Sequence, residues 1–113
     1  MSILKSINPS TEEIVGEYNE MDLSHVEDII EKSSSTQKEW SQIDITKRSQ
    51  TISNIKDLIN RDKESYAKII TLEMGKPISE SMNEIEKCIW LCDYYSENAK
   101  KFVAIDSGAA RLS

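Results

Sequence analysis

Glycine occurs three times, proline twice, cysteine twice, and histidine and phenylalanine once each in this 113-residue sequence. So little Gly and Pro leaves few positions for the tight turns of a many-stranded sheet, and excludes collagen-like and Pro/Gly-rich disordered classes. Two cysteines four residues apart, Cys88 and Cys92, do not form the framework of a small secreted disulfide domain. No apolar run approaches the ~20 residues of a membrane span, and Met1-Ser-Ile-Leu-Lys5 is not a signal peptide. Positive charge is also short, with 14 Lys and Arg against 20 Asp and Glu and a net charge of −6. A dispersed acidic balance repels phosphate backbones, so nucleic acid is not an expected partner and neither is a membrane. These deficits together point to the cytoplasm. No G-x-G-x-x-G, P-loop, G-x-S-x-G or metal-ligand cluster occurs.

What remains is 38% hydrophobic and 30% charged, an ordered, helix-leaning profile. The length fits one small domain or a piece of a larger one, and would let a compact chain hide roughly two-thirds of its unfolded surface. Ser2–Ile7 and Ile14–Tyr18 are β-leaning runs separated by Asn8-Pro-Ser-Thr-Glu-Glu13, a turn sequence, so a hairpin over about 2–18 is expected. Two strands alone are marginal in water, and this hairpin needs a support.

Helical signals fill the rest. Asp22 or Ser24 caps a first helix over about 24–40; Ser24 with Glu27 fits a capping box, and Asp22 would make Met21 and Val26 a staple. Val26, Ile29, Ile30 and Trp40 mark its apolar face, with Ser33–Thr36 weakening its middle. Asp44 caps a second helix over about 45–61 carrying Ile45, Ile52, Ile55, Leu58 and Ile59. Arg48 falls on the same stripe. Asp62 starts a third helix over about 63–75, presenting Tyr66, Ile69, Ile70 and Met74. Gly75 can end it in the left-handed conformation, and Lys76-Pro77 leads into the next. The fourth helix spans about 78–103, with Ile78, Met82, Ile85, Ile89, Cys92, Tyr95, Ala99 and Phe102 at intervals of three and four. Trp90, Leu91, Cys88 and Tyr94 widen its apolar cover, so it expects more than one neighbour. Beyond Phe102 the pattern dissolves into Asp106-Ser-Gly-Ala-Ala-Arg-Leu-Ser113, which reads as a frayed tail.

Few residues offer chemistry. His25 lies in a first helical turn with no matched partner for a metal site or dyad. Cys88 and Cys92 could share a ligand at i and i+4, but within an apolar stripe they are expected to pack as small hydrophobes. Glu80, Glu84 and Glu86 suit the positive end of a helix dipole. Arg48, a charge on an apolar stripe, requires a partner or an escape to solvent. The expected partner is Glu73 or Glu84, tying three helices together; the alternative is an Arg that snorkels to solvent.

Several segments, in order, resemble the aldehyde dehydrogenase family. Ile7-Asn-Pro-Ser-Thr-Glu-Glu-Ile-Val-Gly16 is similar to the opening hairpin turn. Val26–Trp40 resembles the first family helix, and Lys47-Arg48 with Ile52, Ile55 and Leu58-Ile59 the second. Ile70-Thr-Leu-Glu-Met-Gly-Lys-Pro77 is the strongest match, continued by Glu84 and Tyr94-Tyr95. The flavour is that of succinate-semialdehyde dehydrogenases. The resemblance implies a mostly α fold with an N-terminal β-hairpin, the helical N-terminal part of an α/β NAD(P)-binding domain, making up about the first quarter of such a polypeptide. The parent would oxidise an aldehyde to an acid with NAD or NADP through a Cys thiolate, a general-base Glu and a Gly-rich cofactor turn. All of these lie downstream of the matched region. Neither Cys88 nor Cys92 corresponds to the nucleophile, so no catalytic, cofactor-binding or metal-ligating residue is carried over. Glu12 stands where the family often has Gly, at a cost of ~1 kcal/mol if the turn needs a left-handed residue. The ending from Gly108 to Ser113 departs from the family's continuation, as truncation or a changed frame would produce.

The expected role is therefore a scaffold segment, inactive alone and binding no cofactor. Its partners would be the remainder of a dehydrogenase chain, or further copies through exposed apolar helix faces. A stand-alone helical interaction module is the competing reading, and a metal- or redox-binding bundle using Cys88 and Cys92 a third.

Overall fold

The computed structural model describes the backbone of residues 2–112 and the side chains of residues 2–104. Two strands, β1 (Ile3–Ile7) and β2 (Ile14–Asn19), precede four helices: α1 (Leu23–Gln42), α2 (Ile45–Arg61), α3 (Lys63–Met74) and α4 (Ile78–Leu112). The strands pair antiparallel, Ile3 opposite Asn19 and Leu4 opposite Tyr18, with an irregularity at Ser6/Ile7.

Local signals place the helix boundaries. Asp22 caps α1, its carboxylate accepting from the His25 N–H at 2.9 Å. Ser24 instead lies inside the helix and donates its hydroxyl to the same Asp22 oxygen. Asp44 caps α2 by accepting from the Thr46 N–H at 3.0 Å. Asp62 sits between α2 and α3 but makes no capping bond with its side chain. Arg61 engages that carboxylate instead, at 2.8 Å. Gly75 ends α3 at φ 71°, its N–H donating to the Thr71 carbonyl. Pro77 accepts from the Glu80 and Ser81 N–H groups and so starts α4.

One boundary differs from expectation. The fourth helix continues past residue 103 to Leu112. Loss of an apolar stripe removes a packing face but does not break the ladder, and Ala109-Ala-Arg-Leu112 are strong helix formers that sustain propagation. Side chains beyond Ala104 lie outside the described residues, as does Ser113.

α4 is the mast of the molecule. Both α2 and α3 pack along it, antiparallel, and α2 touches α3 only lightly. Lys56 against Asp93 ties α2 to α4, and Lys63 against Glu86 ties α3 to α4. Near the hinge small residues bring α3 and α4 close: Ala67 and Ser81 are fully buried, Ile85 is 8% exposed, and the Thr71 and Ser81 hydroxyls hydrogen-bond at 2.8 Å. Ala67 and Ile85 are the buried apolar core among the described residues.

So small a core leaves an open molecule. The accessible surface is 9068 Å², against about 6,300 Å² for a compact monomer of 12.9 kDa. The radius of gyration is 19.0 Å, where a compact chain of this length has about 13 Å. The excess, about 2,800 Å², is on the scale of an obligate interface.

Candidate functional site

The hairpin's support is the hinge between α3 and α4. Asn8 is buried, and its side-chain oxygen accepts from the Ser10 N–H at 2.9 Å and more weakly from Thr11. That Asx turn holds Pro9 and Ser10 against the hinge. The Ser10 hydroxyl donates to the Gly75 carbonyl at 3.2 Å, and Ser6 donates to the Glu73 carboxylate at 3.2 Å. Glycine is required at 75 twice over. Its φ is left-handed, and a Cβ there would come within 2.7 Å of the Ser10 hydroxyl and 2.8 Å of the Pro9 ring. Glu12 in the same turn adopts φ 65°, the left-handed conformation that a glycine would take without strain. A crevice of about 350 Å³ remains at this corner, lined by Asn8, Ser10, Thr71, Gly75, Lys76 and Pro77. Lys76 pairs with Glu84, and Glu80 lies in the first turn of α4. The corner is a clamp built of hydrogen bonds.

Arg48 does not meet Glu73 or Glu84. Its guanidinium Nε donates to the Ile43 carbonyl at 3.0 Å, and among the described residues it has no carboxylate partner. The antiparallel register explains this. Arg48 lies beside Tyr95 and Ala99, and Glu84 is roughly 20 Å further along α4 at 1.5 Å per residue. Trp40 shares that crevice, which is where the end of α1 meets α2 and α4.

The ion pair that does join α2 to α4 is Lys56 with Asp93, at 2.9 Å. Asp93's hydrogen bond and charge hold the Lys56 ammonium above its ordinary range, with Asp57 adding a smaller push. Arg61 similarly holds the Asp62 carboxyl below the usual carboxylate range, mainly through its hydrogen bonds. Spacing could not have revealed Lys56–Asp93, because the register between two helices is a tertiary quantity.

Cys88 also departs from expectation. It is a free, exposed cysteine, while Cys92 is half-buried and free. Cys88 stands at the edge of an apolar groove of about 380 Å³ lined also by Ile59, Tyr66, Ile69, Ile70 and Ile85. Cys88 belongs to the residues that widen the apolar cover of α4 beyond its main stripe, and it falls at the edge of that cover. His25 is exposed in the first turn of α1. No cluster of His, Cys, Asp and Glu that could hold a metal ion occurs among the described residues.

Larger than any pocket is the uncovered apolar surface. Ile29 and Ile30 of α1 are 42% and 63% exposed, and Ile3, Leu4, Ile14 and Tyr18 of the hairpin are each more than half exposed. A shallow hollow of about 410 Å³ along α1 runs from Ile29 to Trp40. Among the described residues no helix is long and apolar enough to cross a membrane.

The sequence profile of the aldehyde dehydrogenase family matches residues 2–109. The chain is 33% identical over 98 residues to a mitochondrial succinate-semialdehyde dehydrogenase of Arabidopsis thaliana, covering 87% of this chain and 19% of that protein. It is 30% identical over 93 residues to the Escherichia coli succinate semialdehyde dehydrogenase Sad, which is named for NAD(P)+, covering 82% and 20%. The crystal structure of succinic semialdehyde dehydrogenase from Streptococcus pyogenes, in complex with NADP+, superposes with a TM-score of 0.81 and 28% identity over 87% of this chain and 22% of that one. The chain thus spans about a fifth of the length of the relatives it matches. By profile, sequence and fold alike, it belongs to the aldehyde dehydrogenase family.

Proposed function

We propose that this chain is the hairpin-and-helix scaffold of the NAD(P)-binding domain of an aldehyde dehydrogenase that oxidises a semialdehyde to the acid in the cytoplasm. The observation that carries this reading is the mismatch between good local order and missing burial. α1 and α2 are each capped by an aspartate, yet α1 and the hairpin expose the faces that a neighbouring sheet would cover. The relatives' names supply the substrate class, and two free cysteines suit a reducing compartment.

Dinucleotide chemistry does not reside in these residues. Gly16 lies in a strand beside the Tyr18 ring and Gly75 is wedged against Pro9 and Ser10. The described sheet is an antiparallel pair, and its turn into α1, Glu20-Met21-Asp22, has no glycine and two carboxylates that would repel a pyrophosphate. Catalytic cysteine, general base and cofactor turn would come from the rest of such an enzyme, and this chain would hold the domain's shape.

The test is an assay of the purified chain with succinate semialdehyde and NAD or NADP, alongside binding of a hydrophobic dye. The expected result is no NAD(P)H and strong dye binding. Aldehyde-dependent NAD(P)H production would overturn the proposal. Weak dye binding with a sharp thermal transition would instead favour a stand-alone interaction module.

A further inference from the structure

The face of α4 turned away from α2 carries a second seam. At 3.6 residues per turn, Asn83, Lys87, Trp90, Tyr94, Glu97 and Lys101 line up opposite Cys92, at intervals of 4, 3, 4, 3 and 4. All six are exposed. Trp90 is the most open aromatic residue of the helix at 64%. It already stacks on Tyr94, with ring centroids 5.7 Å apart and planes 20° from parallel. Neither Lys87 nor Glu97 forms an ion pair among the described residues.

We propose that a second copy of this chain docks on this seam, the two α4 helices lying antiparallel about a two-fold axis at the level of Cys92. That axis sets Trp90 against the other copy's Tyr94, Lys87 against its Glu97, and Asn83 against its Lys101. Each contact occurs twice, as an isologous interface requires. The charge pattern selects the direction. A parallel pairing would place Lys87 on Lys87 and Glu97 on Glu97, like charge against like, which is repulsive. The aromatic rings supply a desolvated centre in offset or edge-to-face contact. Six residues a side is well short of a standard interface of about 20–30, so the dimer is weak and reversible. The symmetric contact closes on itself and stops at two chains. It draws on none of the relatives' properties and does not depend on the dehydrogenase reading.

Sedimentation equilibrium of the full chain from about 10 μM to about 1 mM, a range chosen for a weak interface, tests it. The expected mass rises from 12.9 kDa toward twice that and no further. Glu97→Lys alone, or Lys87→Glu alone, should weaken dimerisation about tenfold or more by setting like charges together. Mixing the two single variants should restore it, because the mixed pair regains both opposite-charge contacts. Helical circular dichroism checks that each variant folds, and the unmodified chain's concentration dependence stands if one does not. A monomer throughout, growth beyond two chains, equal association by Glu97→Lys, or no recovery on mixing would each overturn the proposal.

Discussion

α1 and α2 begin in the same way and end in different places. Each is capped by an aspartate and carries an apolar stripe at helical spacing. α2 lies along α4, joined to it by Lys56–Asp93. α1 leaves Ile29 and Ile30 open to solvent and meets the other helices through Trp40 at its C-terminal end. A cap and a period specify a helix. They do not say what covers it, and stability follows the cover.

The largest effect should come from cutting each helix's packing in turn. Ile85→Ala, under α3, is expected to cost about 2–4 kcal/mol in urea unfolding, while Ile29→Ala on α1 should change stability by less than about 0.5 kcal/mol. Equal losses would mean that α1 is packed in solution. Smaller and opposite in sign is Glu12→Gly, which relieves a left-handed non-glycine residue and should raise stability by about 1 kcal/mol. No gain would show that the turn does not hold φ 65° in solution.

Caps sharpen the contrast further. Asp44→Ala should lower global stability by about 1 kcal/mol, because α2 unfolds with the packed unit. Asp22→Ala should act locally, speeding amide exchange in α1 while leaving α2–α4 protection unchanged.

The smallest effect is in pH. Lys56 has a raised folded-state pKa through Asp93. Its contribution is fully present below the unfolded value, about 10.4, and is lost as pH rises through the folded value. Asp62 is depressed by Arg61, so its contribution is present above about 3.9 and lost as pH falls through the folded value. Urea midpoints across pH should therefore sag at both ends, and Lys56→Met should flatten the alkaline side.

What the sequence made legible follows the same division. Hairpin, hinge and the starts of the helices rest on Asn8-Pro9, Gly75, Pro77, Asp22 and Asp44, whose effects reach only a few residues. The left-handed turn at Glu12 was foreseeable because the family resemblance pointed to a glycine there. Tertiary facts were not foreseeable. Arg48 on its stripe calls for a carboxylate, but Glu84 lies roughly 20 Å away along α4, and no spacing within one helix gives the register between two. Cys88 reads as core from its place in the apolar cover of α4, because spacing does not say how far round a helix its neighbours reach. Ala67 and Ser81 carry the tightest packing, yet small residues leave almost no periodic signal.

Solution X-ray scattering from the dilute chain tests the open arrangement most directly. With a forward intensity matching one chain, the account predicts a radius of gyration near 19.0 Å. A monomer at about 13 Å, the value of a closed globule of this length, would contradict it.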